Sequence, residues 1–134
     1  EHNGLLLFNR YTDSDNLYYT GVRVDGAAVI KKKQNGRYTT LSYVSVIYPV
    51  AYNRDTNPNL LPKNAWIGIR SEVKNNRDGS VNINLYIDKN WNGIWKLIKE
   101  VNDTNSPITG RGYGGIRTDF MDVNMDNYRA DEIV

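Results

Sequence analysis

The stretch that decides the fold is Trp66-Ile67-Gly68-Ile69-Arg70-Ser71-Glu72-Val73, then Asp78-Gly79, then Ser80-Val81-Asn82-Ile83-Asn84-Leu85-Tyr86-Ile87-Asp88. Apolar and polar residues alternate on both sides of an Asp-Gly pair. Successive side chains of a strand point to opposite faces, so the pattern specifies two half-buried strands. Asp-Gly accepts the positive φ of a tight turn, which sets the two strands antiparallel. Ile67, Ile69, Val81, Ile83 and Leu85 are expected to face a core, and Arg70 and Glu72 to face away from it.

The first arm of this hairpin belongs to a pattern written three times: aromatic-x-Gly-aliphatic-Arg-x-acid. The other copies are Tyr19-Thr20-Gly21-Val22-Arg23-Val24-Asp25 and Tyr113-Gly114-Gly115-Ile116-Arg117-Thr118-Asp119. In a strand, ring, glycine, arginine and acid share one face, while Val22, Val24 and Ile116 point into the core. The expectation is three strands displaying this set on one surface. Two readings compete. Arginines and acids on neighbouring strands can pair as a ladder, each pair contributing roughly 0.2–1 kcal/mol. Alternatively the surface binds a ligand. A glycine inside a strand often marks close approach of a ligand or another backbone. Rings beside forked guanidinium donors suit a flat polar ligand. The sequences between the copies do not align, so the chain is not read as a repeat protein.

Outward from these copies, period-two patterning predicts strands at 5–9, 17–24, 27–33, 37–47, 65–73, 80–87, 94–101, 114–120 and 123–130. Asp25-Gly26, Asn35-Gly36 and Asn92-Gly93 add turns. No segment keeps a helical period. Residues 48–64 hold Pro49, Pro58 and Pro62 and read as a long loop, a kind of segment that often carries function. A second loop covers 102–112. The whole of 1–134 reads as one all-β domain, an antiparallel sandwich or jelly roll.

Net charge is +2 with a pI near 8.8, only mildly basic. Lys31-Lys32-Lys33 alternates between faces on a strand, so no nucleic-acid partner is expected. No apolar run approaches the ~20 residues of a membrane span, and no membrane partner is expected. The absence of Cys removes disulfides and thiolate metal sites. The single histidine, His2, leaves no zinc cluster and no Ser-His-Asp triad. Glu72 is followed by Lys74, and no paired-carboxylate motif is present. Neighbouring arginines would hold Glu72 and Asp119 ionised, which is wrong for a general acid.

Leu6-Leu7-Phe8-Asn9-Arg10 followed by Asp15-Asn16-Leu17-Tyr18-Tyr19 resembles the opening of laminin-G-like, concanavalin A-like jelly-roll modules. The Trp66–Asp88 hairpin looks like their central hairpin. Gly115-Ile116-Arg117, then Phe120-Met121-Asp122-Val123-Asn124-Met125-Asp126-Asn127-Tyr128, looks like their closing strands. The resemblance implies a concanavalin A-like jelly-roll β-sandwich. Such modules carry one or two further strands before the Leu6–Arg10 segment, so the expectation is either a compact variant of the domain or a neighbouring chain segment or second copy that completes a sheet. It also implies a structural calcium at Asp126. Calcium suits carboxylate and carbonyl oxygens. Arg70-Ser71-Glu72-Val73-Lys74 is similar to a strand of alginate lyases, but the partner motifs of that family are missing.

The expected function is non-catalytic carbohydrate binding by a module of a secreted, extracellular polysaccharide-active enzyme. The expected ligand is a polysaccharide or oligosaccharide, with uronates favoured by the arginines. The expected contacts are Tyr19, Arg23, Trp66, Arg70, Glu72, Tyr113, Arg117, Asp119 and Trp91. Trp91 and Trp95 flank Asn92-Gly93 and are candidates for sugar stacking. A structural or adhesive β-domain is the alternative from another class. A polysaccharide lyase is the remote one.

Overall fold

The computed structural model describes residues 3–45 and 47–133; His2 lies outside the described residues. Eight strands follow in order: β1 (Gly4–Asp13), β2 (Asn16–Arg23), β3 (Ala28–Gln34), β4 (Arg37–Val44), β5 (Gly68–Asn75), β6 (Val81–Asp88), β7 (Lys96–Asp103) and β8 (Tyr113–Asp119). They form two antiparallel sheets, ordered β4-β3-β2-β1-β8 and β5-β6-β7. Each is a meander, except that β8 returns to the first sheet beside β1. At the β3–β4 hairpin, Asn35 and Gly36 both take positive φ, 49° and 78°. That backbone twist matches the twist of the flanking strands.

The two inner faces meet in one core. Tyr18, Val22, Ala28 and Ile30 of the five-stranded sheet pack against Val81, Ile83, Leu85 and Ile87 of β6. Ile67 and Ile69 pack against the same cluster, and Val24 is buried. Ile116 pairs with Leu7 on the inner side but stays only half-buried. β1 lies over β5 and β4 over β7, and β8 is the edge strand outside β1.

The irregular segment after β8 packs back against that strand. Met121 packs on the core, and Tyr128 Oη and Ala130 Cβ come up against Gly114. The strand expected at 123–130 does not form. Phe120 and Asn127 adopt positive φ, 50° and 54°, and the Asp126 carboxylate accepts the N–H of Asn127. Local bonds of this kind compete with a sheet ladder.

The connection from β4 to β5 is irregular, but it is scaffold in part. Ile47 and Leu61 join the core, and Leu60 N–H donates to Val24 O. The second loop is held by a buried polar group. Tyr18 Oη donates to Asp103 Oδ2 at 2.7 Å, and Lys32 Nζ donates to the same oxygen at 2.8 Å. Lys32 also donates to Asn105 O, and Tyr18 Oη accepts the N–H of Ile108. A lysine and an aspartate so buried persist because each is paired and hydrogen-bonded.

Candidate functional site

The three copies of the pattern do not share a surface. β2 and β8 lie two strands apart in the five-stranded sheet, whereas β5 is an edge of the three-stranded sheet. Tyr19, Arg23, Tyr113, Arg117 and Asp119 therefore line one outer face. Trp66, Arg70 and Glu72 line the opposite one. Period two assigns each copy its outward side correctly, but it carries no information about which sheet the strand joins.

Nor do the arginines form a cross-strand ladder. Each binds the acid two residues further along the chain: Arg23 to Asp25, Arg117 to Asp119 at 2.6 Å, and Arg70 to Glu72. Asp25 holds the Arg23 guanidinium above its ordinary pKa. Burial pulls Arg117 down, and Asp119 and Tyr38 together more than offset it. These guanidinium groups are thus engaged before any ligand arrives, which weakens the case for a uronate. The glycines are explained by close packing. A side chain at Gly21 would strike the backbone of Leu5 and Leu6, and one at Gly68 the ring of Trp95, while one at Gly115 would crowd the ring of Phe8.

The five-stranded face is closed by its own side chains. Leu6, Leu17, Tyr19 and Val29 form a second buried apolar cluster there, with Phe8 and Tyr11 at its side. Arg117 reaches across β1 to lie 5.6 Å from the centre of the Tyr19 ring. Tyr38 meets Tyr19 edge-on at 6.2 Å, and Lys33 lies over Tyr38. Tyr113 stands at the margin, exposed.

The three-stranded face is open at one end, where all three tryptophans gather. Gly68 leaves room for the Trp95 indole, which lies against it. Asp88, buried below, accepts the N–H groups of Asn90, Asn92 and Gly93, at 2.7 Å for the last. These bonds hold the β6–β7 loop so that Trp91 takes a positive φ of 50°. Such a backbone is strained for a bulky residue and persists only where its surroundings over-determine it. Trp91 is 46% exposed, and Trp66 51%. Together with Ile67, Asp126 and Asn127 they line a cleft of about 130 Å³. From this cleft the face runs along Arg70, Glu72 and Lys74 of β5 and Asn82, Asn84 and Tyr86 of β6. The Arg70 guanidinium lies 5.2 Å from the centre of the Tyr86 ring.

Asp126 thus belongs to the cleft, though as one carboxylate beside one amide. Among the described residues no group of three or more His, Asp or Glu side chains gathers there. Asp88, Asn127, Asn82, Asn84 and Glu100 were not anticipated. For the two β6 asparagines the signal was present: both stand at outward positions of a period-two run.

Comparison of the chain with family models, with curated proteins and with solved structures finds no match in any of the three.

Proposed function

We propose that this β-sandwich is a non-catalytic carbohydrate-binding module, related in fold to concanavalin A-like jelly rolls and working in a secreted polysaccharide-active protein. One observation carries the reading: two exposed tryptophans, one of them on a strained backbone, line a single cleft with a carboxylate and an amide. Indole faces take up the C–H surface of a sugar ring, and Asp126 and Asn127 offer hydrogen bonds to its hydroxyls. The site is largely pre-formed, because Asp88 and Gly68 fix the loop and the rings around it, so little ordering entropy opposes binding.

Isothermal titration against a panel of plant, algal and bacterial polysaccharide fragments tests this. Trp91→Ala and Trp66→Ala are each expected to weaken binding by about 2 kcal/mol, close to thirtyfold, with the fold intact. Binding that survives both substitutions would move the sugar away from the cleft. Sugar release or unsaturated product on incubation with the same fragments would end the non-catalytic reading.

Contact with a neighbouring domain or a second copy is the competing reading. Phe120, 92% exposed at the end of the edge strand β8, favours it. Sedimentation of the chain and of Phe120→Ser would detect such association.

A further inference from the structure

We infer that a second copy of this chain pairs with the free edge of β8, strand against strand and antiparallel, joining two five-stranded sheets into one continuous sheet. The inference rests on the contact reading above, not on the carbohydrate one, and it names the occupant.

An edge strand offers unpaired N–H and C=O groups to any other strand, and natural edges usually carry a device against this. Among the described residues the edges are β4 and β8 of one sheet and β5 and β7 of the other. β4 carries an extra residue, Leu41, against β3, and β7 carries Ile98 against β6. Such bulges twist an edge and interrupt its ladder. β7 also presents Lys96 and Lys99, and β5 presents Arg70, Glu72 and Lys74. β8 has none of these devices. Its irregularity against β1 falls on the β1 side, between Phe8 and Tyr11. It holds no lysine, and its arginine is neutralised by Asp119. The segment after β8 leaves the edge open. Among the described residues no backbone bond joins that segment to β8, and it meets Gly114 where a Cβ would stand, on the face of the sheet.

The strand is also complementary to itself. With the pairing centred on Ile116, β8 overlaps its whole length about a two-fold axis. Half-buried Ile116 then meets the partner's Ile116. Arg117 lies opposite the partner's Gly115, where no side chain blocks it. Tyr113 stands opposite the partner's Asp119 and beside the partner's Phe120. Tyr113 and Phe120 are the most exposed rings among the described residues, 77% and 92%, and they mark the two ends of β8. Antiparallel pairing brings the start of one strand to the end of the other, so it covers both rings at once. Cross-strand aromatic neighbours are favourable. No like charges stand opposite each other. The two arginines are a diagonal step apart, and each is held by its own Asp119. One strand pair with two ring contacts is a small interface, so association in the micromolar range is expected.

Sedimentation equilibrium up to millimolar concentration tests this. The chain should pass from monomer to dimer with a micromolar Kd. Tyr113→Asp sets a second carboxylate opposite the partner's Asp119 and should weaken the dimer about tenfold or more. Tyr113→Lys, at the same exposed position, sets a cation there and should weaken it less than about threefold. Phe120→Ser should weaken it about tenfold. Ile116→Cys supplies the only thiol of the chain and should cross-link to its own copy under oxidised glutathione. Opposed residues of antiparallel strands lie about 4.5–5.5 Å apart at Cα, within reach of a disulfide. Tyr38→Cys, on the edge strand β4, should stay uncross-linked. A monomer at every concentration overturns the inference and the second-copy reading with it. A dimer that treats the two Tyr113 variants alike, or leaves Ile116→Cys uncross-linked, overturns the inference and moves the contact to another surface. Where Ile116→Cys does not fold, the two variants of exposed Tyr113 decide.

Discussion

Tyr19 and Trp66 hold the same place in their copies of the pattern, yet Tyr19 is 4% exposed and Trp66 51%. The difference lies in what flanks each strand. β2 is interior to its sheet, so Tyr38 on β4 and Arg117 on β8 both reach over Tyr19 and seal it. β5 is an edge strand, and Trp66 stands just before it, where no neighbour can cover the ring. The same residue types therefore build a closed apolar layer on one side of the sandwich and an open face with an exposed ring on the other. A ring–glycine–arginine pattern has no fixed meaning; strand position decides whether the ring is structure or platform.

The sharpest way to break this comparison is to delete the two rings in turn. Tyr19→Ala removes a buried aromatic from the second apolar cluster and should destabilise the protein by about 3–5 kcal/mol in urea unfolding. Its glycan affinity, measured below the transition, should be unchanged. Trp66→Ala should cost less than about 1 kcal/mol of stability, because its ring is half in solvent already, while binding falls. A folded Tyr19→Ala that loses affinity, or a Trp66→Ala that loses stability on the scale of Tyr19→Ala, would erase the distinction between the faces.

Tyr18 sharpens the comparison from within. It lies beneath the five-stranded sheet, and burial, then its bond to Asp103, raises its phenol well above the ordinary tyrosine range. A group whose folded pKa is raised contributes stability that is fully present below its unfolded pKa, about 10 for tyrosine, and lost as pH rises through the folded value. Unfolding free energy should therefore fall above roughly pH 10, and the fall should be shallower in Tyr18→Phe. That variant should also be weaker at neutral pH by about 1–2 kcal/mol, because Ile108 N–H and Asp103 each lose a partner. Amide exchange at high pH should rise in β2 and β3 before β5 and β6. Loosening of β5 and β6 first would show that the buried group does not tie down one side preferentially.

Much of this division could be seen in advance, and some could not. Alternation and the Asp-Gly and Asn-Gly turns located all eight strands within a few residues, because half-buried strands and positive-φ turns have strong local signatures. Core residues such as Val22, Ile83 and Leu85 followed from the same alternation. Sheet membership did not, because it depends on the path of 47–67, an irregular segment with no period to read. The strand expected at 123–130 failed for a local reason: Asp126 and Asn127 satisfy their own backbone. In the candidate site, the exposed tryptophans were legible as residue types. Their meeting with Asp126 was not, since it joins three segments distant in the chain. Lys32 was read as one lysine of a run that alternates between faces, and its buried partner Asp103, 71 residues away, left no sign in that run.

The smallest effect is also the most specific to the comparison, and it uses the arginines. Arg117 and Arg70 each pair with an acid two residues on, and each lies near a tyrosine ring. Counting pairs would make them equal. They differ in what the ring does: Tyr19 is buried beneath Arg117, so removing that side chain uncovers apolar surface as well as breaking an ion pair. Arg70 lies on an outward, partly solvated Tyr86, and its pair with Glu72 is a surface pair of the kind that contributes little. Arg117→Ala should therefore cost about 1 kcal/mol, and Arg70→Ala within about 0.5. Raised salt should narrow the loss in Arg70→Ala further and leave most of that in Arg117→Ala, since screening acts on exposed charge and not on covered carbon. Equal losses that vanish together in salt would mean that both arginines act only as ion pairs, and that the five-stranded face is not sealed by its own side chains.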